Sequence, residues 1–268
     1  MHSGKWSRKS AIKDSNRVAL YISQRCEEEG IHSCYDMSYD GSPHELMYTE
    51  IFGGAGCIMI RPQESKFWNF MLDRVVSSIN DQRILMLRNA GDKYNVCHYP
   101  YKPHKVKRVC FLPGSNLLHN VPKGRVKELA DKGVFIKPHP ITTAIDLQHL
   151  FLDFGSQFVY PNESGWDLMK AAEKIYCTGS TELGLYATLF DKQVSVIHYD
   201  DKNKHKEVYA GFYNHLDKLK VLVSTPLSGI IFNDDTYKEQ VDMYLTFYRE
   251  NYEYAKKNFL IMHKSWNV

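Results

Sequence analysis

The chain is 268 residues long and contains no run of about 18 consecutive apolar residues, so no segment is expected to span a membrane. Its six cysteines (26, 34, 57, 97, 110, 177) form no C-x-x-C pair and no closely spaced ladder. Several lie inside apolar runs, which points to reduced core thiols of a cytosolic protein rather than a disulfide framework or a zinc site. H-E-x-x-H, P-loop and G-x-S-x-G patterns are all missing. The one glycine run, Gly53-Gly54-Ala55-Gly56, follows a predicted helix and precedes a predicted strand. That is the reverse of a dinucleotide fingerprint and excludes a Rossmann oxidoreductase on this reading. The formal charge of +3 is too small to imply nucleic acid, and is compatible with an anionic substrate or an acidic membrane surface. Residues 1–5 are polar and no apolar stretch follows them, so no signal peptide is expected. The expected location is the cytoplasm, with any membrane role peripheral and on the inner face.

What is present is an ordinary globular composition, 43% hydrophobic and 24% charged, on a chain long enough for one large domain or two small ones. The spacing of apolar residues predicts a helix over 10–29, a strand over 31–37, a short helix over 44–52 and a strand over 57–60. A helix over 64–79 and a strand over 83–87 follow. Residues 90–108 hold Gly91, Pro100, Pro103, three tyrosines and a basic cluster, a composition that suits an interdomain linker. A second βα series then runs from Val109. Strands are predicted over 109–112, 134–137, 157–160, 174–177 and 193–199, with helices near 123–131, 145–154, 166–173 and 180–190. A long aromatic-striped helix over 235–259 closes the chain. The predicted class is α/β with two Rossmann-like lobes and a closing C-terminal helix. The expected division is 1–107 (an acceptor-side lobe and linker, lacking an opening strand), 108–234 (a nucleotide-binding lobe) and 235–268 (the helix).

Two short segments carry the functional signal. Lys137-Pro138-His139-Pro140 closes the apolar run Val134-Phe135-Ile136, and Cys177-Thr178-Gly179-Ser180-Thr181 closes Lys174-Ile175-Tyr176. Each falls where a strand would end, and the second opens on a helical pattern beginning at Glu182. In a parallel α/β sheet, strand ends and the helix starts after them converge on one crevice. A histidine and a Gly-Ser-Thr helix start placed there suit a phosphate, through the imidazole, the hydroxyls and backbone N–H groups. One helix-strand-helix-strand passage separates the two segments, so their strand ends are expected to be neighbours. Gly114-Ser115-Asn116, closing the first strand of the second series, is a further candidate for ligand contact.

These paired motifs resemble the HP and Ser-Ser/Thr motifs of GT-B-fold bacterial sialyltransferases, with similar pairs in capsule-polysaccharide transferases and polyol-phosphate polymerases. The resemblance implies a glycosyltransferase that moves a sugar from a nucleotide donor, a CMP-sugar foremost, to a hydroxyl of a glycan acceptor. It implies that His139 contacts the donor phosphate and helps the nucleotide leave, and that Ser180 and Thr181 hold the same phosphate. Lys137, Pro140, Gly179, Glu182, Gly114 and Ser115 complete the implied donor site. No metal or other cofactor is implied, since these groups do the neutralising, and the outcome would be inverting. The same enzymes carry an acidic-acidic-Gly motif whose carboxylate deprotonates the acceptor. Tyr39-Asp40-Gly41-Ser42 is the nearer match and makes Asp40 the expected general base, although Tyr39 replaces the first acid. Glu28-Glu29-Gly30 reads more simply as a solvated helix end.

Two other readings stand beside this one. The tyrosines and lysines of 94–108 resemble a nucleic-acid groove, which would make modified DNA the acceptor. The short first lobe would also suit a degenerate protein that binds nucleotide without turnover.

Overall fold

A computed structural model describes residues 16–35, 45–93, 106–161 and 163–258 of this mixed α/β chain. The elements run α1 (Arg17–Glu28), β1 (Ser33–Tyr35), β2 (Leu46–Ile51), β3 (Cys57–Pro62), α2 (Ser65–Arg74) and α3 (Asp81–Lys93). Next come β4 (Arg108–Phe111), α4 (Ser115–Leu118), α5 (Lys123–Asp131), β5 (Phe135–Lys137), α6 (Ala144–Phe154) and α7 (Gly165–Ala171). The rest are β6 (Lys174–Thr178), α8 (Leu183–Leu189), β7 (Gln193–Ile197), α9 (Ala210–Tyr213), α10 (Leu219–Leu222), β8 (Ile230–Ile231) and α11 (Tyr237–Asn258). They form two compact units. The described residues up to Ile84 and those from Lys220 onward make the first, and Leu85–Leu219 the second. This differs from the expected division at 107/108 and 234/235.

In the first unit, α1 starts where Asn16 Oδ1 accepts the N–H groups of Val18 and Ala19 at 3.0 and 3.2 Å, a side-chain cap. Its buried face, Val18, Ala19, Ile22 and Cys26, meets Leu46 and Tyr48 of β2, Ile58 and Ile60 of β3, and Phe67 and Met71 of α2 in one core. The closing helix α11 belongs to that same core through Val241, Tyr244, Leu245 and Tyr248, which is why it does not stand as a separate segment. Arg25 reinforces the seam, 2.8 Å from Asp242, and Arg249 lies 3.3 Å from Glu29. The acidic run ending α1 is therefore only partly solvated.

The helix expected over 44–52 is strand β2. Leu46, Met47, Tyr48 and Ile51 are all buried, so the run has neither a two-residue nor a 3.6-residue pattern to tell strand from helix. The glycine run decides it. Phe52 (φ +49°) and Gly56 (φ +66°) take left-handed conformations that turn β2 back into β3, with Ile51 opposite Cys57. The sheet order is β1-β2-β3-β8, and only the β1–β2 pairing is parallel. The doubly wound parallel sheet expected of a first lobe is not what these strands form.

The strand expected over 83–87 is also corrected, to helix α3. Asn80 Oδ1 accepts the Arg83 N–H at 3.2 Å and Asp81 sits in the first turn, a helix start. Ile84 and Leu87 are buried three residues apart, while Leu85 and Met86 are exposed.

The second unit holds an all-parallel sheet ordered β5-β4-β6-β7. Alternation along β4 sends Cys110 and Leu112 into a core with Val126 and Leu129 of α5 and Leu150 and Phe154 of α6. Phe111 faces the other way, where an added Cβ at Gly165 of α7 would lie 3.7 Å from its ring. On that side Trp166 of α7 meets Tyr186 of α8 edge to face, with ring centroids 5.0 Å apart. Helices thus cover both faces, as parallel sheets require. The strand expected over 157–160 reduces to a helical turn, Gly155–Gln157, and one bridge from Phe158 to Ile136. The five described cysteines are free thiols, four of them buried. Among the described residues no helix is long and apolar enough to cross a membrane.

Candidate functional site

The strand order places a topological switch point between β4 and β6, since the chain leaves β4 toward β5 on one side and returns to β6 on the other. Ligands of open parallel sheets bind outside the carboxyl ends of the strands at such a point. Three of the sequence motifs converge on this edge: Gly114-Ser115 after β4, His139 after β5 and Gly179-Ser180 after β6. The second and third, expected on neighbouring strands, are not so placed, because β4 lies between β5 and β6. Their strand ends are two strand spacings apart, about 10 Å. The Gly114-Ser115 turn occupies the middle of the edge.

His139 follows the buried Pro138 and is itself exposed. Its Nδ1 accepts the backbone N–H of Ile141 at 3.2 Å, so the neutral ring carries its proton on Nε2. Protein crowding around the ring, and then the nearby Lys137 ammonium, hold the pKa below the ordinary histidine value. This geometry makes His139 a neutral hydrogen-bond donor. Lys137 points inward instead. It is buried, and its ammonium donates to the carbonyls of Pro138 and Pro161, each at 3.0 Å. It therefore fixes the loop backbone around His139. Pro140 is exposed at the loop's surface.

After β6, residues 180 and 181 form a turn, and α8 starts only at Leu183 with Glu182 at its cap. The Thr181 N–H donates to Thr178 O at 3.0 Å, and the two threonine hydroxyls are 3.1 Å apart. Thr181 is buried, and both its backbone N–H and its hydroxyl serve the turn. Ser180 is partly exposed and donates its hydroxyl to Lys206 O at 2.8 Å. Of these two residues, Ser180 is the one open to a ligand.

Gly179 explains a residue that sequence reasoning missed. A Cβ there would stand 2.6 Å from Glu207 Oε2 and 2.8 Å from its Cβ, so Glu207 packs where any side chain at 179 would be. Glu207 is buried, and its carboxylate accepts the Tyr199 N–H at 2.6 Å and meets His198 Nδ1 at 3.0 Å. The Tyr209 N–H closes the arrangement on Gly179 O at 2.9 Å. The segment after β7 is thereby pinned across the end of β6. It carries Lys206, whose ammonium reaches Asn120 Oδ1, 3.3 Å away in the connection after β4. Lys206 thus spans the switch point, its carbonyl on the β6 side and its ammonium on the β4 side. No short motif marks this. The only trace in the sequence is the cluster of Lys202, Lys204, His205 and Lys206 after a strand.

Ser115 begins the short helix α4, and its hydroxyl accepts the Thr143 N–H at 2.8 Å, tying the β4 loop to the start of α6. Hydrogen bonds from Ser115 and Thr143 hold the Asp146 carboxyl below the usual carboxylate range. Beside Ser115 a cavity of about 350 Å³ opens between α4, α5 and α6. Leu112, Val126, Leu150 and Phe154 form its apolar wall, and His119 and Lys123 are among its polar lining. That size and chemistry lie at the small end of ligand pockets.

Asp40 and residues 94–105 of the basic tyrosine-rich stretch lie outside the described residues. No family model matches the chain, and no curated protein matches it.

Proposed function

We propose that the second unit is a Rossmann-like nucleotide-binding lobe and that the protein is a metal-independent glycosyltransferase. Its donor would be a CMP-sugar or a close relative, and its acceptor a glycan hydroxyl. The observation that carries this reading is the alignment of the β4, β5 and β6 carboxyl ends along one sheet edge that includes the switch point between β4 and β6. There they present Gly114-Ser115, a histidine donor and a serine hydroxyl. In this reading the phosphate lies across the edge and accepts a hydrogen bond from His139 Nε2–H, and the Ser180 hydroxyl turns from Lys206 O to donate a second. The cavity beside Ser115 takes the nucleoside. His139, being neutral, stabilises the departing phosphate by donating a hydrogen bond aimed at the oxygen where charge develops. Thr181 and Lys137 shape the turns rather than touch the ligand. Asp40 remains the proposed base for the acceptor, and displacement would be direct and inverting.

The test is thermal unfolding against CMP, CDP, UDP and GDP. A ligand at 100 times its Kd adds roughly 2.7 kcal/mol, which in a chain of this size raises Tm by about 5–10 °C. The expected result is stabilisation by a cytidine nucleotide that His139→Ala loses. A preference for UDP moves the donor toward hexoses, and no response to any nucleotide overturns the reading. A nucleotide-binding protein without turnover is the second reading, favoured by the mixed sheet of the first unit, which departs from the two-lobed transferase pattern. Donor binding with no transfer and no donor hydrolysis would establish it.

A further inference from the structure

A phosphate at this edge needs positive charge, and the residues expected to supply its neutralisation do not. His139 is held neutral, the Thr181 N–H is used within its own turn, and Lys137 is buried on backbone carbonyls. We propose that Lys206 is the phosphate-binding cation of the donor site, an assignment that rests on the nucleotide-binding reading above.

Three observations support it. Lys206 lies across the switch point, bonded through its carbonyl to Ser180 on one side and through its ammonium to Asn120 on the other. Among the described residues its ammonium bonds only to the neutral Asn120 amide, and it is partly exposed, so two of its three N–H donors remain for a ligand. The next residue, Glu207, is the anchor of the segment, locked by Tyr199 N–H and His198 and packed into the space that glycine leaves at 179. A long flexible lysine is thus held at its base by a buried carboxylate, which limits the freedom it loses when it grips an anion. Gly179 and Glu207 are positioning residues in this scheme, and Lys206 is the contact.

The experiment is calorimetric titration of CMP, with inorganic pyrophosphate as a second probe, into the full chain and three variants. Lys206→Gln keeps a group able to hydrogen-bond Asn120 but removes the charge, and is expected to weaken CMP ten- to a hundredfold at an unchanged unliganded Tm. Lys206→Arg is expected to stay within about threefold of the parent. Lys202→Ala, an exposed lysine of the same segment, is expected to bind as the parent does. Equal CMP affinity in Lys206→Gln and the parent overturns the Lys206 assignment alone, leaving the nucleotide site intact. Failure of the parent to bind either probe or any nucleotide overturns both the assignment and the reading beneath it.

Discussion

Replacing His139 with alanine is expected to lower transfer by roughly 10²–10³-fold, the usual loss when one donor aimed at developing charge is removed. The size of the effect follows from the tautomer. Because Nδ1 accepts the Ile141 N–H, only Nε2 can face a ligand, and it faces it as a donor. The pH dependence has a definite sign. Folded His139 titrates below its unfolded value near 6.5, so over that interval the unfolded chain binds the extra proton. The stability it contributes is fully present above the unfolded value and is lost as pH falls through the folded one. Transfer by the parent should accordingly stay independent of this ring above about pH 7. In an NMR titration, His139 should show the Nε2–H tautomer and a midpoint below 6.5. A midpoint above 7, or an alanine variant with full turnover, would remove His139 from the site.

The second large effect is on stability. Gly229 has φ +91°, and a Cβ there would fall 2.0 Å from the backbone oxygen of Ile60 and 3.1 Å from the Tyr244 ring. The turn Pro226–Ser228 delivers Gly229 against β3, where its own carbonyl accepts the Ile60 N–H at 2.8 Å. Neither the strand nor the buried tyrosine can yield without disturbing the first core. Gly229→Ala should therefore cost about 1–3 kcal/mol in backbone strain and a further 1–3 kcal/mol in overpacking. Against a total of about 5–15 kcal/mol that is a severe loss, measurable as a lower urea midpoint for the first unit. A midpoint within experimental error of the parent would mean that the close approach to Ile60 is wrong.

The second unit was largely legible in the sequence because its elements are short, regular and well punctuated. Prolines and glycines close β5 and β6, and α5 matches its expected span residue for residue. The first unit was harder to read. Its strand β2 is buried on both faces, so its side chains carry no period, and α3 shows four consecutive apolar residues, 84–87, whose helical spacing is masked by exposed Leu85 and Met86. The role of α11 in the first core depends on contacts between the two ends of the chain, which no local pattern encodes. The site divides in the same way. His139, Ser115 and Ser180 follow strands and could be found from spacing, whereas Glu207 and Lys206 reach the edge only through the fold of the segment after β7. The crowding at Gly179 links the two sets, but a glycine after a strand does not announce a buried glutamate 28 positions later.

The central claim is that a nucleotide phosphate sits at the carboxyl edge of the parallel sheet of the second unit. Backbone amide mapping of the deuterated full chain during CMP addition tests it most directly. The largest shifts are expected on Gly114, Ser115, His139, Gly179, Ser180 and Lys206, saturating together with one Kd. Saturable shifts confined to the first unit or to the helices on the sheet faces, with that edge unmoved, would contradict the claim.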